Sequence, residues 1–447
     1  MPPPDLSSRP AGAAVPARPA PVASALPTAA PSPRSPGAVT ASKSSEGEAA
    51  RAGMFSALAL YPVYRRLWFG SQGASLAQWM QQVGLGWLAL TLTDSESFVG
   101  LVAFTAGVPF LVVSVPVGAL IDRVDRRRLM LACQGCAAVL AILVATDVIL
   151  GWVEPWHLVA AAALNGTFQA TLAPTQQSLV PSLVPREALT NAIGLNSAGQ
   201  NMTRVVGPSL AGILIGVFGV GAAFVLQAAA LVGAFALVLG IRVPPRTPSA
   251  GSRGVFDGVR LIARRPDLRG LFLLACIPTF FVFPYVSFLA VFARDILRIG
   301  PGGLGLLMAA SGSGAVMGSL WVASRRTMVG AGRRLIAMTV AYGGIVIAIA
   351  LSRTVVLSLP LLVCAGFFGA SYMSANNALL QMRVDDHVRG RVISAYLLTQ
   401  GLMPLGAMPM GLLADRAGAP MAVAAGAIVS STLAAFLGIR SRELREL

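Results

Sequence analysis

Gly118-Ala-Leu-Ile-Asp122-Arg123-Val-Asp125-Arg126-Arg127-Arg128-Leu129 joins two apolar runs, residues 98-121 and 127-150. Each run is long enough to cross a bilayer core of roughly 30 Å as a helix rising about 1.5 Å per residue. A turn with four arginines and two aspartates stays in water, so the pair reads as a membrane hairpin with its charged turn at one surface. The same pattern repeats on either side of this hairpin. Spans are predicted over 67-91, 98-121, 127-150, 156-178, 189-217 and 220-240, then over 270-293, 302-323, 334-352, 356-379, 391-413 and 418-438. The fold class that follows is all-α and integral to the membrane: twelve transmembrane helices in two six-helix bundles.

Composition agrees and excludes several functions. Of 447 residues, 55% are hydrophobic and 12% charged, against about 25% charged in an ordinary soluble domain. A formal charge of +16 invites a nucleic-acid reading, but the arginines sit in short loops between apolar runs, which is the membrane pattern. Lys43 is the one lysine, so there is no Gly-Lys-Ser/Thr loop to hold a nucleotide phosphate, and ATP is not expected as the energy source. His157, His387 and four scattered cysteines (Cys133, Cys136, Cys276, Cys364) are too few and too dispersed for a metal site, and no cofactor is expected. Cys133-x-x-Cys136 lies inside an apolar run, where small thiols pack.

Residues 1-50 hold eleven prolines and no apolar periodicity, and are predicted to be a disordered, uncleaved tail. Residues 51-240 form the N-terminal bundle and 270-440 the C-terminal bundle. Between them 241-269, with Pro244, Pro245, Pro248 and seven arginines, reads as a linker, and 441-447 as a short tail. With the N-terminus cytoplasmic, the inner connections from Arg51 onward carry twenty-five arginines and the outer ones four: Arg294, Arg298, Arg353 and Arg416. That bias puts both termini, and the linker, in the cytoplasm. The early outer loops are acidic, with Asp94, Glu96 and Glu154. An offset of 199 places Gly207 on Gly406, Gly212 on Gly411 and Gly219 on Gly418, as two halves related by an axis along the membrane normal would require.

The turn quoted above resembles the G-x-L-x-D-R-x-G-R-R signature of the major facilitator superfamily, with Asp125 where that family has glycine. The resemblance assigns Gly118, Asp122, Arg123, Arg126, Arg127 and the facing Arg391 to a gate that holds the outward-facing state. Gly118 permits close helix approach, and Asp122 can meet the positive N-terminal end of span eleven. Span five carries Gly194, then Gly207, Pro208 and Gly212, and resembles the antiporter motif of drug-exporting branches, with Thr203 and Ala211 in place of two glycines. A Pro-kinked helix with small packing residues is the plainer reading of the same positions. The run from Phe168 through Pro174 and Pro181 to Pro185, with Asn191 and Val388-Arg389-Gly390-Arg391-Val392, resembles the branch of enterobactin-type siderophore exporters and macrolide efflux proteins. That resemblance implies a bacterial cytoplasmic-membrane exporter of siderophore-like or drug-like molecules, a monomer working as a proton antiporter.

Polar side chains within spans should face a path or another helix. Ser71, Ser75, Gln78 and Gln82 share one face of span one. Asn165 and Gln169 do so in span four, Asn196, Gln200 and Arg204 in span five, and Ser374, Asn377 and Gln381 in span ten. Their targets are a large, partly polar substrate or each other, through interhelical hydrogen bonds. Arg204, placed in the outer half of span five, either braces the kink at Pro208 or binds an anionic substrate group. No carboxylate lies centrally, so Asp147 and Asp415 near the outer surface are the proton-coupling candidates. A nutrient importer of the same fold is the runner-up. A membrane-embedded enzyme is disfavoured, because no nucleophile, acid pair or metal cluster converges within the spans, and a non-transporting sensor has no reason to keep polar stripes in both halves.

Overall fold

The computed structural model describes residues 55–241, 255–324, 330–384 and 386–445. The N-terminal tail 1-50 and residues 242-254 of the expected linker lie outside the described residues. Twelve helical spans follow one another: α1 Pro62–Thr93, α2 Glu96–Arg123, α3 Arg126–Leu150, α4 Pro155–Leu183, α5 Arg186–Phe218 and α6 Val220–Leu239. In the second half come α7, broken into Pro266–Phe281 and Tyr285–Val291, then α8 Gly300–Ala323, α9 Ala331–Leu351 and α10 Val355–Met382. Span α11 is broken into Asp386–Leu397 and Leu402–Ala417, and α12 runs Ala419–Arg440. Among the described residues, nine helices are long and apolar enough to cross a membrane by length and composition alone. The other three are α1 and α4, which carry rows of glutamine, and α11, whose halves are separated by a 3-10 turn at Leu398–Gly401.

The packing repeats at six-helix intervals. Contacts of α1 with α6, α2 with α4, α3 with α6 and α5 with α6 recur as α7 with α12, α8 with α10, α9 with α12 and α11 with α12. Two further pairings, α2 with α11 and α5 with α8, join the halves and exchange under the same rule. The glycines matched at an offset of 199 occupy equivalent places. A methyl group on Gly207 would lie 2.7 Å from Trp79 Cβ of α1, and one on Gly406 would lie 1.9 Å from the Phe280 carbonyl of α7. Gly212 faces α8 and Gly411 faces α2, across the two joining seams. Gly219 and Gly418 both turn the chain at φ 84°, a conformation that L side chains avoid. The repeat is therefore a packing repeat.

The signature turn is built on Asp125. Its carboxylate accepts from the backbone N–H of Arg127 (2.8 Å) and Arg128 (3.2 Å), so the residue replacing the family's glycine is the N-cap of α3. Arg126 donates to the Ser178 carbonyl of α4 at 3.2 Å, while Arg127 donates to the Leu239 carbonyl at 2.8 Å and to that of Ile241, just past α6. Cations suit such helix C-termini, and these two arginines tie three helix ends together. The side chains of Asp122 and Arg123, with the surroundings of Gly118, lie outside the described residues. Within the expected linker, Val255–Arg264 is a helix laid against α11: a methyl group on its Gly258 would meet the Arg391 carbonyl at 2.1 Å.

Candidate functional site

With both ends of the described chain on one face, that face is proximal, and the turns after α1, α3, α5, α7, α9 and α11 define the distal face. The two joining seams close the distal half. Along α5 and α8, a methyl group on Gly212 would lie 2.6 Å from Gly305 Cα, and one on Gly312 would lie 2.9 Å from Val205 Cγ2. Along α2 and α11, Gly100 sits against the Ala407 carbonyl, Gly107 against Pro404 and Gly401 against Leu111. Backbone touches backbone at Gly212 and Gly100, and only glycine allows this approach.

Polar contacts lock the distal rim. Arg294, in a π-helical turn at Phe292–Ile296, donates to the Leu90 carbonyl at 2.8 Å and pairs with Asp94 at 2.5 Å and Asp295 at 2.7 Å. It thus bridges the end of α7 to the end of α1, where a cation complements the helix C-terminus. Asp415 of α11 accepts from the Ser97 backbone N–H at 2.9 Å and from the Ser95 hydroxyl at 3.3 Å, at the N-terminus of α2. Burial acts to raise the Asp415 carboxyl, but hydrogen bonds from Ser97, Ser95 and the Glu96 backbone outweigh it and hold the group below its ordinary value. A group lowered in this way keeps its stabilising contacts above the ordinary carboxylate range and loses them as pH falls through the lowered value. At neutral pH this cap is intact. Glu96 lies beside Asp415 with its Oε2 buried and without a hydrogen-bond partner.

Below the seal lie three adjoining cavities of about 490, 320 and 270 Å³, each in the range of a small organic ligand or smaller. The largest spans both halves and includes Gln200, Asn201 and Arg204 on one side and Tyr285, Tyr342 and Asn377 on the other. The second lies among α1, α4 and α5, with Ser71, Ser75, Gln78 and Gln169. The third is mainly apolar, with Val99, Val102, Met308 and Met403, and shares Gln78 and Gln169 with the second. Gln82 and Asn165 also line it. The breaks in α7 and α11 bring Val286 and Gly401 to this wall, in keeping with irregular backbone at membrane depth where it borders a cavity.

The polar faces read from the sequence thus converge, with two exceptions. Asn196 does not line these cavities, because α5 presents Ser197, Gln200, Asn201 and Arg204 at i, i+3, i+4 and i+7. Gln381 is also outside the walls, and donates to Asn377 at 3.1 Å. In span five, Gly194 has no atom within 4 Å of an added methyl, so packing does not demand glycine there, unlike Gly207 and Gly212. Asp147 lies apart from these cavities and pairs with His157 at 2.7 Å, joining the end of α3 to the start of α4. The sequence reading missed Trp79, Asn201, Tyr285 and Tyr342. Asn201 was legible as the i+4 partner of Ser197, whereas nothing local marks a buried tyrosine as facing a cavity.

Comparison with known proteins gives this arrangement its family. The model of the family described as transmembrane secretion effector matches residues 52–446. The staphyloferrin A transporter of Staphylococcus aureus is 25% identical over 76% of this chain and 86% of its own length. Macrolide efflux protein A of Streptococcus pyogenes is 24% identical over 79% and 89%. The multidrug efflux pump Tap of Mycolicibacterium fortuitum is 27% identical over 75% and 85%. In fold, the chain is similar to a bacterial homologue of the human lysosomal transporter Spinster solved in an inward-facing, unoccupied conformation, with a TM-score of 0.70 at 17% identity over 86% of this chain and 98% of that one. A match over nearly the whole chain, on a fold of two interlocked six-helix halves around a cavity, shows that the protein is a multi-pass transporter of the transmembrane secretion effector family within the major facilitator superfamily.

Proposed function

We propose that this transporter expels siderophore-like or drug-like molecules from the bacterial cytoplasm by alternating access, in exchange for protons and as a monomer in the cytoplasmic membrane. The observation that carries the reading is a cavity shared by both halves and sealed on one face by two symmetry-equivalent glycine seams, which can part without disturbing either bundle. The names of the relatives, a staphyloferrin A transporter and macrolide and multidrug efflux proteins, favour export. On this reading the proximal face is cytoplasmic and the state described is inward-facing. The carboxylates beside the distal seam, Glu96 and Asp415, are placed for coupling, and Asp147 with His157 is the alternative carrier.

Inside-out membrane vesicles test direction and coupling together. With an acid interior they accumulate staphyloferrin A or a macrolide above the level of vesicles lacking the protein, and collapsing the gradient removes the difference. Uptake by right-side-out vesicles alone would establish import instead. The carrier is the group whose replacement, Asp415→Asn, Glu96→Gln or Asp147→Asn, abolishes the pH dependence at matched protein levels.

Topology has its own check. In a background without native cysteines, Trp152→Cys on the distal face reacts with an impermeant thiol reagent added to intact cells, and Ser252→Cys, which lies outside the described residues, reacts only after lysis. The reverse pattern would invert the orientation drawn from the arginine bias.

A further inference from the structure

Arg204 stands close to the middle of α5, since Arg186–Phe218 has its midpoint at Met202. Pro208 lacks an N–H, so the Arg204 carbonyl loses its usual helical partner. Among the described residues the Arg204 guanidinium has no hydrogen bond, to that carbonyl or to any other group, and no ion pair; it lies over the face of Trp79, 5.5 Å from the ring centroid, with Tyr285 and Tyr342 near enough to act on it electrostatically. It lines two of the cavities at once, and among the described residues it is the sole charged side chain in the walls of all three. A charge at membrane depth is costly to maintain, and such residues mark ligand or ion pathways. A low-dielectric cavity of one sign also concentrates the opposite charge.

We propose that Arg204 binds the acid group of an amphipathic organic anion, whose apolar body occupies the lobe walled by Val99, Val102, Met308 and Met403. Gln200 and Asn201, beside Arg204 on the same helix face, supply further donors to the acid oxygens. Gln78 and Gln169 line both the lobe and the polar cavity next to Arg204, so one molecule can occupy both. This assignment rests on the transporter reading above and specifies its substrate class.

The test uses the full chain in lipid nanodiscs, with dansylglycine as the anionic probe and its neutral carboxamide as the matched control, both read by energy transfer from tryptophan. The parent protein binds the acid roughly tenfold or more tightly than the amide, equivalent to about 1.4 kcal/mol or more. Arg204→Gln brings the acid down to the affinity of the amide, while Arg204→Lys keeps part of the preference. Gly86, which lines the lobe and has nothing within 4 Å of an added methyl, offers an independent arm: Gly86→Phe fills the lobe and weakens acid and amide alike. Equal affinities in the parent, binding of neither probe, or an acid preference that survives Arg204→Gln overturns the anion site. Unchanged affinity in Gly86→Phe overturns the lobe. Because equilibrium binding is independent of direction, an intact acid preference together with failed export from vesicles would sink the export reading and leave the site standing.

Discussion

Gly212→Val lowers transport by roughly tenfold or more and leaves the distal side of the cavity open. The first side-chain carbon would lie 2.6 Å from Gly305 Cα, 2.7 Å from Gly305 N and 2.8 Å from the Pro301 carbonyl. These are backbone atoms of α8, which cannot rotate away as a side-chain end can. Overpacking inside a core costs about 1–3 kcal/mol even where side chains relax, and each 1.4 kcal/mol is tenfold in a two-state population. The strain falls only on the state in which α5 and α8 touch, so the variant folds and accumulates with its distal seam parted. Ala103→Cys, in the wall of the apolar lobe, reports this by reacting with an impermeant thiol reagent from outside far faster in Gly212→Val than in the parent. Gly194→Ala is the contrast: it belongs to the same sequence motif, meets open space, and transports at the parental rate with unchanged labelling. Equal labelling in Gly212→Val and parent would show that this seam is not the distal gate.

Arg294→Gln has the second-largest effect, through loss of attraction where the glycine variant adds repulsion. One guanidinium holds the Leu90 carbonyl, Asp94 and Asp295. Surface ion pairs alone contribute about 0–1 kcal/mol, but a charged hydrogen bond to a helix-end carbonyl adds roughly 1.5–3 kcal/mol. Taking about 2 kcal/mol for the whole latch shifts the closed-to-open ratio roughly thirtyfold. The shift appears as faster distal labelling of Ala103→Cys and slower turnover, with little change in thermal stability, because both bundles keep their internal packing. Raised salt reproduces part of the effect in the parent and none in the variant, since screening acts on the exposed pairs. Salt sensitivity that persists in Arg294→Gln would assign the latch to other charges.

Twelve spans, their pairing into halves and the repeat were legible because each follows from a local rule. Apolar length sets the span, and a glycine recurring at a fixed offset marks a site where backbones meet. Most of the polar cavity wall was legible for the same reason, since glutamine and asparagine in lipid need a partner. Asp125 shows where the rule stopped short. The sequence marked it as a departure from a familiar glycine, and only its two backbone hydrogen bonds identify it as the cap of α3.

By itself, then, the sequence determined that the chain crosses the membrane twelve times in two related halves with amide-lined faces turned inward, because hydropathy and helical periodicity act within one helix at a time. The tertiary structure decided which end of the helix bundle is sealed, which side chains seal it, and that Arg204, among the described residues, stands without a counter-ion beside a largely apolar lobe. Those facts depend on distances between residues far apart in the chain, such as Gly212 to Gly305 in the two halves and Arg204 to Trp79 within one. No local pattern encodes them.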